Sequence, residues 1–362
     1  MAKKAKASTK LKIGAIGIGR IWMWAHAEPL LAHPDVEIVA VCDTDVARAE
    51  AFAKQHGVKH VFADYRDVLK LKDLDAIDIC TPNLYHSEMA VAALKSGRHV
   101  FCEKPDAVSP VECQRMVDAA KASGKTLMVM RNNRFNDNAQ WLKRYIERGE
   151  MGDIYAGRCG WIRRRGTPGK NGWFTDKKLS GGGPLIDLGV HFIDLSMWLM
   201  GSPKPVAVSG MTWRKFDRAD VLDPVSRQLG LKVPEGVYDV EDLAMGTIRF
   251  DNDSMLQIEF SWASNVEEEV NFSELRGTKA GCTLRGDREL KVFSEIDGTL
   301  CDILPRFPKT PLAPHGRMLH HFVDVVKGRM APIMTPREGL NMMKILGAIY
   351  SSAESGREVR LD

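Results

Sequence analysis

The sequence lacks any hydrophobic segment long enough to cross a membrane, since no apolar run approaches the roughly 20 residues that a membrane helix requires. Residues 1–10 carry four lysines and no apolar stretch, so we expect a disordered basic leader and not a secretory signal peptide. Those lysines account for the whole formal net charge of +4. A body without excess positive charge has no electrostatic footprint for nucleic acid. We therefore expect neither nucleic acid nor a membrane as a partner.

Signals for disulfides and metal sites are also missing. The seven cysteines are odd in number, and no two of them have the Cys-x-x-Cys spacing. Cys42, Cys80 and Cys102 each end an apolar, strand-like segment, which is typical of small buried side chains in a reducing compartment. The sequence thus predicts a cytoplasmic protein without a metal site.

The first half of the chain predicts an α/β domain over residues 11–133. Short apolar segments alternate there with helical patterns, as in a parallel sheet that helices cover on both faces. The predicted strands are Leu11–Ile16, Glu37–Cys42, Val58–Phe62, Ala76–Thr81, His99–Cys102 and Thr126–Met130. The predicted helices are Trp24–Ala32, Asp45–Gln55, Ser87–Ser96 and Pro110–Ser123. A chain of 362 residues leaves room for a second domain.

That second domain, over residues 134–362, is predicted to be α+β with an open, mainly antiparallel sheet. The predicted strands are Ile154–Arg165, Val206–Lys215, Leu243–Phe250 and Met255–Ala263, with more between Val270 and Val292. The predicted helices are Ala139–Arg148, His315–Lys327 and Arg337–Ser355. Asp-Asn-Asp-Ser between the third and fourth strands predicts a hairpin. Asp217–Val240 is predicted to be a surface loop.

A glycine turn after the first strand predicts a dinucleotide site. Gly17 and Gly19 stand between a strand and a helix, where glycines allow a tight turn and close approach to a pyrophosphate. The helix start supplies N–H donors for the phosphates. Asp43 ends the second strand, where a carboxylate suits ribose hydroxyls and repels a 2′-phosphate, and Thr44 provides no adjacent arginine. NAD is therefore favoured over NADP.

Two positions beside this turn are open to interpretation. Arg20 is close enough to contact the pyrophosphate or can be a solvated side chain. Trp22 stands where the third glycine of the dinucleotide fingerprint normally permits close packing of the helix on the strand. Either the first helix tilts, or the indole points away from the sheet.

Two further segments lie at strand ends, where open parallel sheets bind ligands. Thr81-Pro82-Asn83 with His86 follows the fourth strand, and Glu103-Lys104-Pro105 follows the fifth. Pro105 stiffens the backbone and can be cis, which would aim the Lys104 ammonium. The alternative interpretations are that Lys104 is a solvated lysine beside a turn proline and that His86 only caps a helix.

The stretch from Ser180 to Asp194 carries the most informative pair. A glycine run ends there, an amphipathic helix begins, and Asp187 and His191 are four residues apart. This spacing places a carboxylate and an imidazole on one helix face, as acid–base chemistry near neutral pH requires. A structural hydrogen bond is the competing interpretation.

Together these residues resemble the glucose-fructose oxidoreductase, inositol dehydrogenase and rhizopine catabolism (Gfo/Idh/MocA) family. The resemblance covers nearly the whole chain and departs from the pattern at Trp22. It is carried by Gly17-x-Gly19, Thr81-Pro82-Asn83 with His86, Glu103-Lys104-Pro105, Gly181-Gly182-Gly183 with Asp187 and His191, Asp239-Val240-Glu241-Asp242, Thr335–Gly339 and Ser352–Arg357.

The resemblance implies a Rossmann domain and an open-faced α/β domain that binds substrate and forms a homodimer or homotetramer through its sheet. It also implies a tightly held nicotinamide cofactor and oxidoreduction at a sugar or cyclitol hydroxyl. Lys104, Asp187 and His191 would be the catalytic residues. The predicted cofactor-binding residues are Gly17, Gly19, Arg20, Ile21, Asp43, Thr81, Pro82, Asn83, His86, Glu103 and Lys104.

The mechanistic hypothesis places the substrate hydroxyl between Lys104 and His191. His191 accepts the proton, Lys104 stabilises the developing alkoxide, and Asp187 orients the imidazole or holds a neighbouring hydroxyl. Sequence leaves open which of Lys104 and His191 takes the proton. Arg163, Arg165 and Trp173 are candidate substrate contacts, against an interpretation as solvated arginines and a core indole.

Two other functions remain open. A redox glycosidase would oxidise a pyranose C3 hydroxyl transiently, eliminate the aglycone and return the hydride, using the same Lys104 and His191. A catalytically silent NAD-binding protein is the second alternative, although an intact Lys–Asp–His set argues against it.

Overall fold

The computed structural model describes residues 10–218 and 236–361. The predicted leader, apart from Lys10, and most of the predicted loop Asp217–Val240 lie outside the described residues. Cys42, Cys80 and Cys102 are buried at or just after strand ends, as the sequence predicts.

A six-stranded parallel sheet forms the first half of the chain and confirms the predicted α/β fold. Its strand order is β3-β2-β1-β4-β5-β6. Because this order places β1 next to both β2 and β4, their carboxyl ends meet at one edge of the sheet. The strands are β1 (Leu11–Ile16), β2 (Val36–Cys42), β3 (His60–Phe62), β4 (Ala76–Ile79), β5 (His99–Cys102) and β6 (Leu127–Val129).

Helices connect these strands close to the predicted positions, with one difference at the start. The first helix begins as a π-helical turn over Trp22–His26 and continues as α1 (Ala27–Ala32), whereas the sequence predicts a single helix from Trp24. The short helix α3 was not predicted. The remaining helices are α2 (Val46–His56), α3 (Tyr65–Val68), α4 (His86–Lys95) and α5 (Pro110–Ser123).

The second half contains a nine-stranded sheet in the order β14-β13-β12-β11-β7-β10-β9-β8-β15. Only the β7–β10 pair is parallel among the described pairs, so the predicted mainly antiparallel sheet is confirmed. β9 and β10 form the predicted hairpin. The strands are β7 (Ile154–Ile162), β8 (Pro205–Trp213), β9 (Leu243–Phe250), β10 (Met255–Ser261), β11 (Val270–Gly277), β12 (Ala280–Arg285), β13 (Glu289–Ile296), β14 (Thr299–Ile303) and β15 (Val359–Arg360).

Helices pack on one face of this sheet and reach back to the first half of the chain. The helices are α6 (Asp137–Glu147), α7 (Lys177–Ser180), α8 (Val190–Leu199), α9 (Pro314–Val326) and α10 (Pro336–Ser355). α8 packs on β7 and β11, and α10 packs on β8 and on α5. α9 contacts the π turn and α1, with the Phe322 ring 5.3 Å from that of Phe101. None of the described helices combines the length and the apolarity needed to span a bilayer.

Candidate active site

A cleft of about 1130 Å³ lies at the carboxyl ends of the parallel strands. This edge is where open α/β sheets bind ligands, and the volume slightly exceeds the roughly 300–1,000 Å³ of common ligand pockets. Ten of the eleven predicted cofactor residues line it. They are Gly17, Gly19, Arg20, Ile21, Asp43, Thr81, Pro82, Asn83, Glu103 and Lys104.

The glycine turn leaves room for a phosphate group. Gly17 has φ +80°, and a Cβ there would lie 2.8 Å from the backbone carbonyl of Cys80, so no larger residue fits. A Cβ on Gly19 would meet no atom within 4 Å. These features, with the helix start that follows, fit the pyrophosphate of a dinucleotide.

The carboxylate at the end of β2 is paired with an arginine. Asp43 is buried, and its Oδ1 accepts hydrogen bonds from the backbone N–H of Asp45 at 2.9 Å and from Arg48 Nη2 at 3.0 Å. Arg48 lies in α2, five residues along the chain, and also lines the cleft. An arginine therefore does stand beside Asp43, although the adjacent residue in the sequence is Thr44.

The floor of the cleft brings together two residues that are 83 positions apart in the chain. Lys104 Nζ donates to Asp187 Oδ1 at 2.6 Å and to the Asp187 carbonyl at 3.2 Å. Trp262 Nε1 donates to Asp187 Oδ2 at 3.0 Å. Burial alone would raise the pKa of Asp187, but the charges of Lys104 and Arg163 and the Lys104 hydrogen bond hold it below its usual value. Lys104 and Asp187 thus form a largely buried ion pair.

A buried glutamate holds the helix start that carries Asp187. Glu241 accepts hydrogen bonds from the backbone N–H groups of Gly183 at 3.0 Å and Leu185 at 3.1 Å, and from Tyr350 Oη at 2.9 Å. A Cβ on Gly183 would collide with the Glu241 carbonyl, so only glycine permits this approach. Glu241 therefore satisfies helix-start donors that would otherwise be unpaired.

Asp187 and His191 do not share one regular α-helix. Leu185–Gly189 is a π-helical turn, and α8 begins only at Val190. A π turn widens the helix locally and is frequent at functional sites. Both Asp187 oxygens accept hydrogen bonds from Lys104 and Trp262, so the carboxylate is directed at the lysine rather than committed to the imidazole.

His191 is a neutral imidazole close to this pair. Burial, together with the charge of Lys104, lowers the pKa of His191 to about 3. Its ring lies 6.0 Å from that of Trp161, measured between centroids. An unprotonated ring nitrogen is available there to accept a proton or a hydrogen bond.

Four of the predicted site residues, all within the part of the chain that the structure describes, do not line the cleft. His86 is buried, with its ring nitrogens 2.8 Å from the Pro105 carbonyl oxygen and 2.9 Å from that of Thr81. His191 lies beside Trp161 and close enough to Lys104 and Asp187 for their charges to affect its pKa. Arg163 donates to the Gly166 carbonyl and lies over the Trp161 ring. Arg165 donates to the carbonyls of Arg164 and Ser264 and to the Asn265 side chain.

Trp173 does line the cleft, where it stacks on Phe174 with ring centroids 3.8 Å apart. The indole of Trp24 also lines it and is 71% exposed. No sequence pattern assigned a site role to Trp24, or to Glu241 and Trp262 as hydrogen-bond partners of the segment that carries Asp187. Of these three residues, only Glu241 belongs to a motif noted in the sequence, Asp239–Asp242.

The interpretation in which the Trp22 indole points away from the sheet is wrong. Trp22 is fully buried, and its Nε1 donates to Asp78 Oδ2 on β4 at 2.9 Å. The widened turn at Trp22–His26 accommodates the indole between helix and sheet, where glycine would usually stand. The Lys104–Pro105 peptide bond is cis, as the sequence allows.

Comparison with known proteins identifies similar chains over the full length. The model described as an oxidoreductase family, NAD-binding Rossmann fold, matches residues 11–131, and that of the same family's C-terminal alpha/beta domain matches residues 143–361. D-glucoside 3-dehydrogenase of Escherichia coli (strain K12) is 34% identical over 361 residues, covering 99% of this chain and 100% of the relative. Levoglucosan dehydrogenase of Pseudarthrobacter phenanthrenivorans is 30% identical over 305 residues, covering 79% of this chain and 77% of the relative.

Solved structures share the fold. An oxidoreductase domain protein from Kribbella flavida superposes with a TM-score of 0.85 at 22% identity, covering 98% of this chain and 100% of that one. Levoglucosan dehydrogenase in complex with NADH superposes with a TM-score of 0.81 at 24% identity, with the same coverage.

Proposed function

Because the chain belongs to the Gfo/Idh/MocA oxidoreductase family, we propose that it uses NAD to oxidise a secondary alcohol on a sugar or cyclitol ring. The observation that carries the proposal is the Lys104–Asp187 pair, with Nζ and Oδ1 2.6 Å apart, on the floor of the cleft that contains the glycine turn. The names of the relatives, which act on a glucoside and on levoglucosan, support a pyranose substrate, with C3 as one candidate carbon.

The preference for NAD over NADP follows from Asp43. Its carboxylate lines the cleft where the adenosine ribose of a dinucleotide would bind, and a 2′-phosphate there would be repelled. Arg48 weakens this repulsion, because it already neutralises part of the charge. Gly17, Gly19, Arg20 and Ile21 would hold the pyrophosphate.

When bound, the nicotinamide ring takes up the hydride that the carbinol carbon loses, so the protein must manage only the hydroxyl proton and the charge on oxygen. The Lys104 ammonium offers hydrogen bonds to that oxygen and stabilises it as negative charge develops. Asp187 fixes the ammonium in place. We assign proton acceptance to the neutral imidazole of His191, because the Lys104 side chain is already held by Asp187 as a hydrogen-bond donor.

The substrate ring would lie against the apolar wall formed by Trp173 and Phe174, where indole faces suit sugar C–H groups. Arg163 and Arg165 are held by other groups, so we assign them no primary substrate contact.

We also propose a homodimer or homotetramer formed through the nine-stranded sheet. Side chains on the face turned away from α10 include the partly exposed Met211, Met255 and Phe293. A subunit interface on this open sheet face would bury these exposed apolar side chains.

A substrate screen tests the function. Sugars, inositols, uronates and aryl glycosides are incubated with NAD, and NADH absorbance and aglycone release are followed together. We expect substrate-dependent NADH formation. Aglycone release without net NADH would instead identify a redox glycosidase, and NAD binding without either signal would contradict an enzymatic role.

A further inference from the structure

A buried polar cluster beneath the cleft joins the glycine turn to the lysine turn. His26, in the π turn after the glycines, is fully buried. Its Nδ1 lies 3.0 Å and 3.1 Å from the two carboxylate oxygens of Asp78, and its Nε2 lies 2.9 Å from Glu103 Oε1. His26 thus bridges the end of β4 to the residue next to Lys104.

Both ring nitrogens of His26 face carboxylate oxygens, and both can donate only if the ring is protonated. Burial by itself would lower the pKa of His26, but the charge of Asp78 and the hydrogen bonds to Asp78 and Glu103 raise it to about 10. The hydrogen bond and charge of His26 also lower the pKa of Glu103 to about 2, against the effect of burial. The cluster is therefore an imidazolium held between two carboxylates.

Glu103 connects this cluster to Lys104. Its second oxygen, Oε2, accepts a hydrogen bond from the Lys104 backbone N–H at 3.1 Å. Each Glu103 oxygen is thus occupied, one by the histidine and the other by the residue that carries the catalytic ammonium.

The same atoms could be taken for a metal site, since ligand atoms of His26, Asp78 and Cys80 lie within 4.8 Å of one another. A metal ligand must have a deprotonated ring nitrogen, whereas both nitrogens of His26 are hydrogen-bonded to carboxylates. Trp22 also donates to Asp78. The hydrogen-bond pattern favours an ion network over a metal.

We propose that His26 is a positioning residue: by bridging Asp78 and Glu103 it fixes the turn that carries Lys104 relative to the glycine turn. The inference rests on the proposed function for the role of Lys104, but it concerns a residue that does not line the cleft. Turnover then depends on the contact between His26 and Glu103 in particular.

Two substitutions separate the contacts of His26. The amide nitrogen of glutamine reaches the position of Nε2, so His26→Gln retains a donor to Glu103. That of asparagine reaches the position of Nδ1, so His26→Asn retains a donor to Asp78 and loses Glu103. We expect His26→Asn to lower kcat by about 10²-fold, the effect of a roughly 1 Å misplacement of a catalytic group. His26→Gln should retain most of kcat, and KM should change little in either variant.

His321→Gln is the matched control. His321 is also buried, and its Nε2 accepts the Ile333 backbone N–H at 3.0 Å, in α9 and away from the cleft. This variant should lose stability with kcat unchanged. Equal kcat in the Asn and Gln variants of His26, or losses that follow their melting temperatures, would overturn the proposal.

A readout without turnover keeps the proposal independent of the proposed function. An amine-acylating reagent labels lysines at rates that peptide mass spectrometry measures, with the half-buried Lys143 as internal reference. His26→Asn should raise the labelling rate of Lys104 several-fold relative to Lys143, and His321→Gln should not. If the wild type oxidises no substrate, the proposed function fails while this result still decides the role of His26.

Stability at alkaline pH provides a second check. The charged and titratable groups that face His26 are Asp78, Cys80, Glu103 and, from α9, His315. Because the folded-state pKa of His26 is raised from about 6.5 to about 10, its stabilisation is present below about 6.5 and is lost as pH rises to about 10. The wild type should lose melting temperature over that range more steeply than His26→Gln. Equal slopes, or stoichiometric metal in the purified protein by elemental analysis, would contradict the proposal.

Discussion

At the scale of single residues, Lys104, which we propose to be catalytic, is held by an ion pair that is largely withdrawn from water. The side chains of Lys104 and Asp187 are 19% and 12% exposed. A buried charge is tolerated only when paired and hydrogen-bonded, and Asp187 meets this condition through Lys104 and Trp262. The ion pair therefore contributes more to the position of the Lys104 ammonium and to the charge in the cleft than to the free energy of unfolding.

His191→Ala tests the assignment of the proton acceptor. Since general-base assistance is worth about 10²–10⁴-fold, kcat should fall by that factor while NADH affinity, measured by fluorescence titration, is retained. His60→Ala, at an exposed position in β3, is the control. An unchanged kcat would remove His191 from the mechanism.

Asp43→Ala tests the cofactor preference. Removing the carboxylate deletes the ribose acceptor and releases Arg48 to meet a 2′-phosphate. The ratio of kcat/KM for NAD to that for NADP should fall by about 10–100-fold, as expected for a hydrogen bond to a charged group. Asp67→Ala, whose exposed carboxylate pairs with Lys70, should leave the ratio unchanged. A constant ratio in the Asp43 variant would show that the discrimination lies elsewhere.

At the scale of elements, the sequence patterns located most helices and strands because apolar periodicity and capping residues are local signals. β1, β5, α5 and β9 were predicted to the residue. The two π turns were not predicted, because a π turn depends on what packs against it. Trp22 donates to Asp78, and Glu241 holds the donors before Asp187, so residues distant in the sequence select each widened turn.

Glu241→Gln tests how the helix start that carries Asp187 is held. The amide would place a donor group among three donors, leaving at least one of them unpaired at a cost of about 1–3 kcal/mol. We expect a lower melting temperature and, because Asp187 lies two residues after Leu185, a lower kcat. Tyr350→Phe removes one donor only and should have a smaller effect on both. An equal effect of the two variants would argue against the helix-start contacts.

At the scale of the whole molecule, helices from the C-terminal half of the chain pack against the elements around the cleft of the parallel sheet. α9 packs on the π turn and α1, and His320 Nε2 lies 3.0 Å from the Pro29 carbonyl oxygen. The predicted division at residues 133 and 134 stays a prediction, because these helices contact both halves of the chain. This packing also brings His315 close enough to influence Glu103.

Met211→Asp tests the proposed assembly. Met211 is 46% exposed on the outer face of the nine-stranded sheet, so a charge there should disrupt a subunit interface with little effect on the folded subunit. Light scattering after size exclusion should show a smaller species. Met330→Asp, 54% exposed between α9 and α10, should keep the wild-type mass. A wild type that is monomeric would contradict the interface.

The sequence by itself determined the alternation of strands and helices, the glycine turn, the acid at residue 43 and the residues Lys104, Asp187 and His191, because each depends on local spacing or on a recognisable motif. Tertiary structure alone decided that Asp187 pairs with Lys104, that Arg48 reaches Asp43 and that His26 lies between two carboxylates. These contacts join residues up to 83 positions apart. They depend on how sheets and helices pack, which no local pattern of residues records.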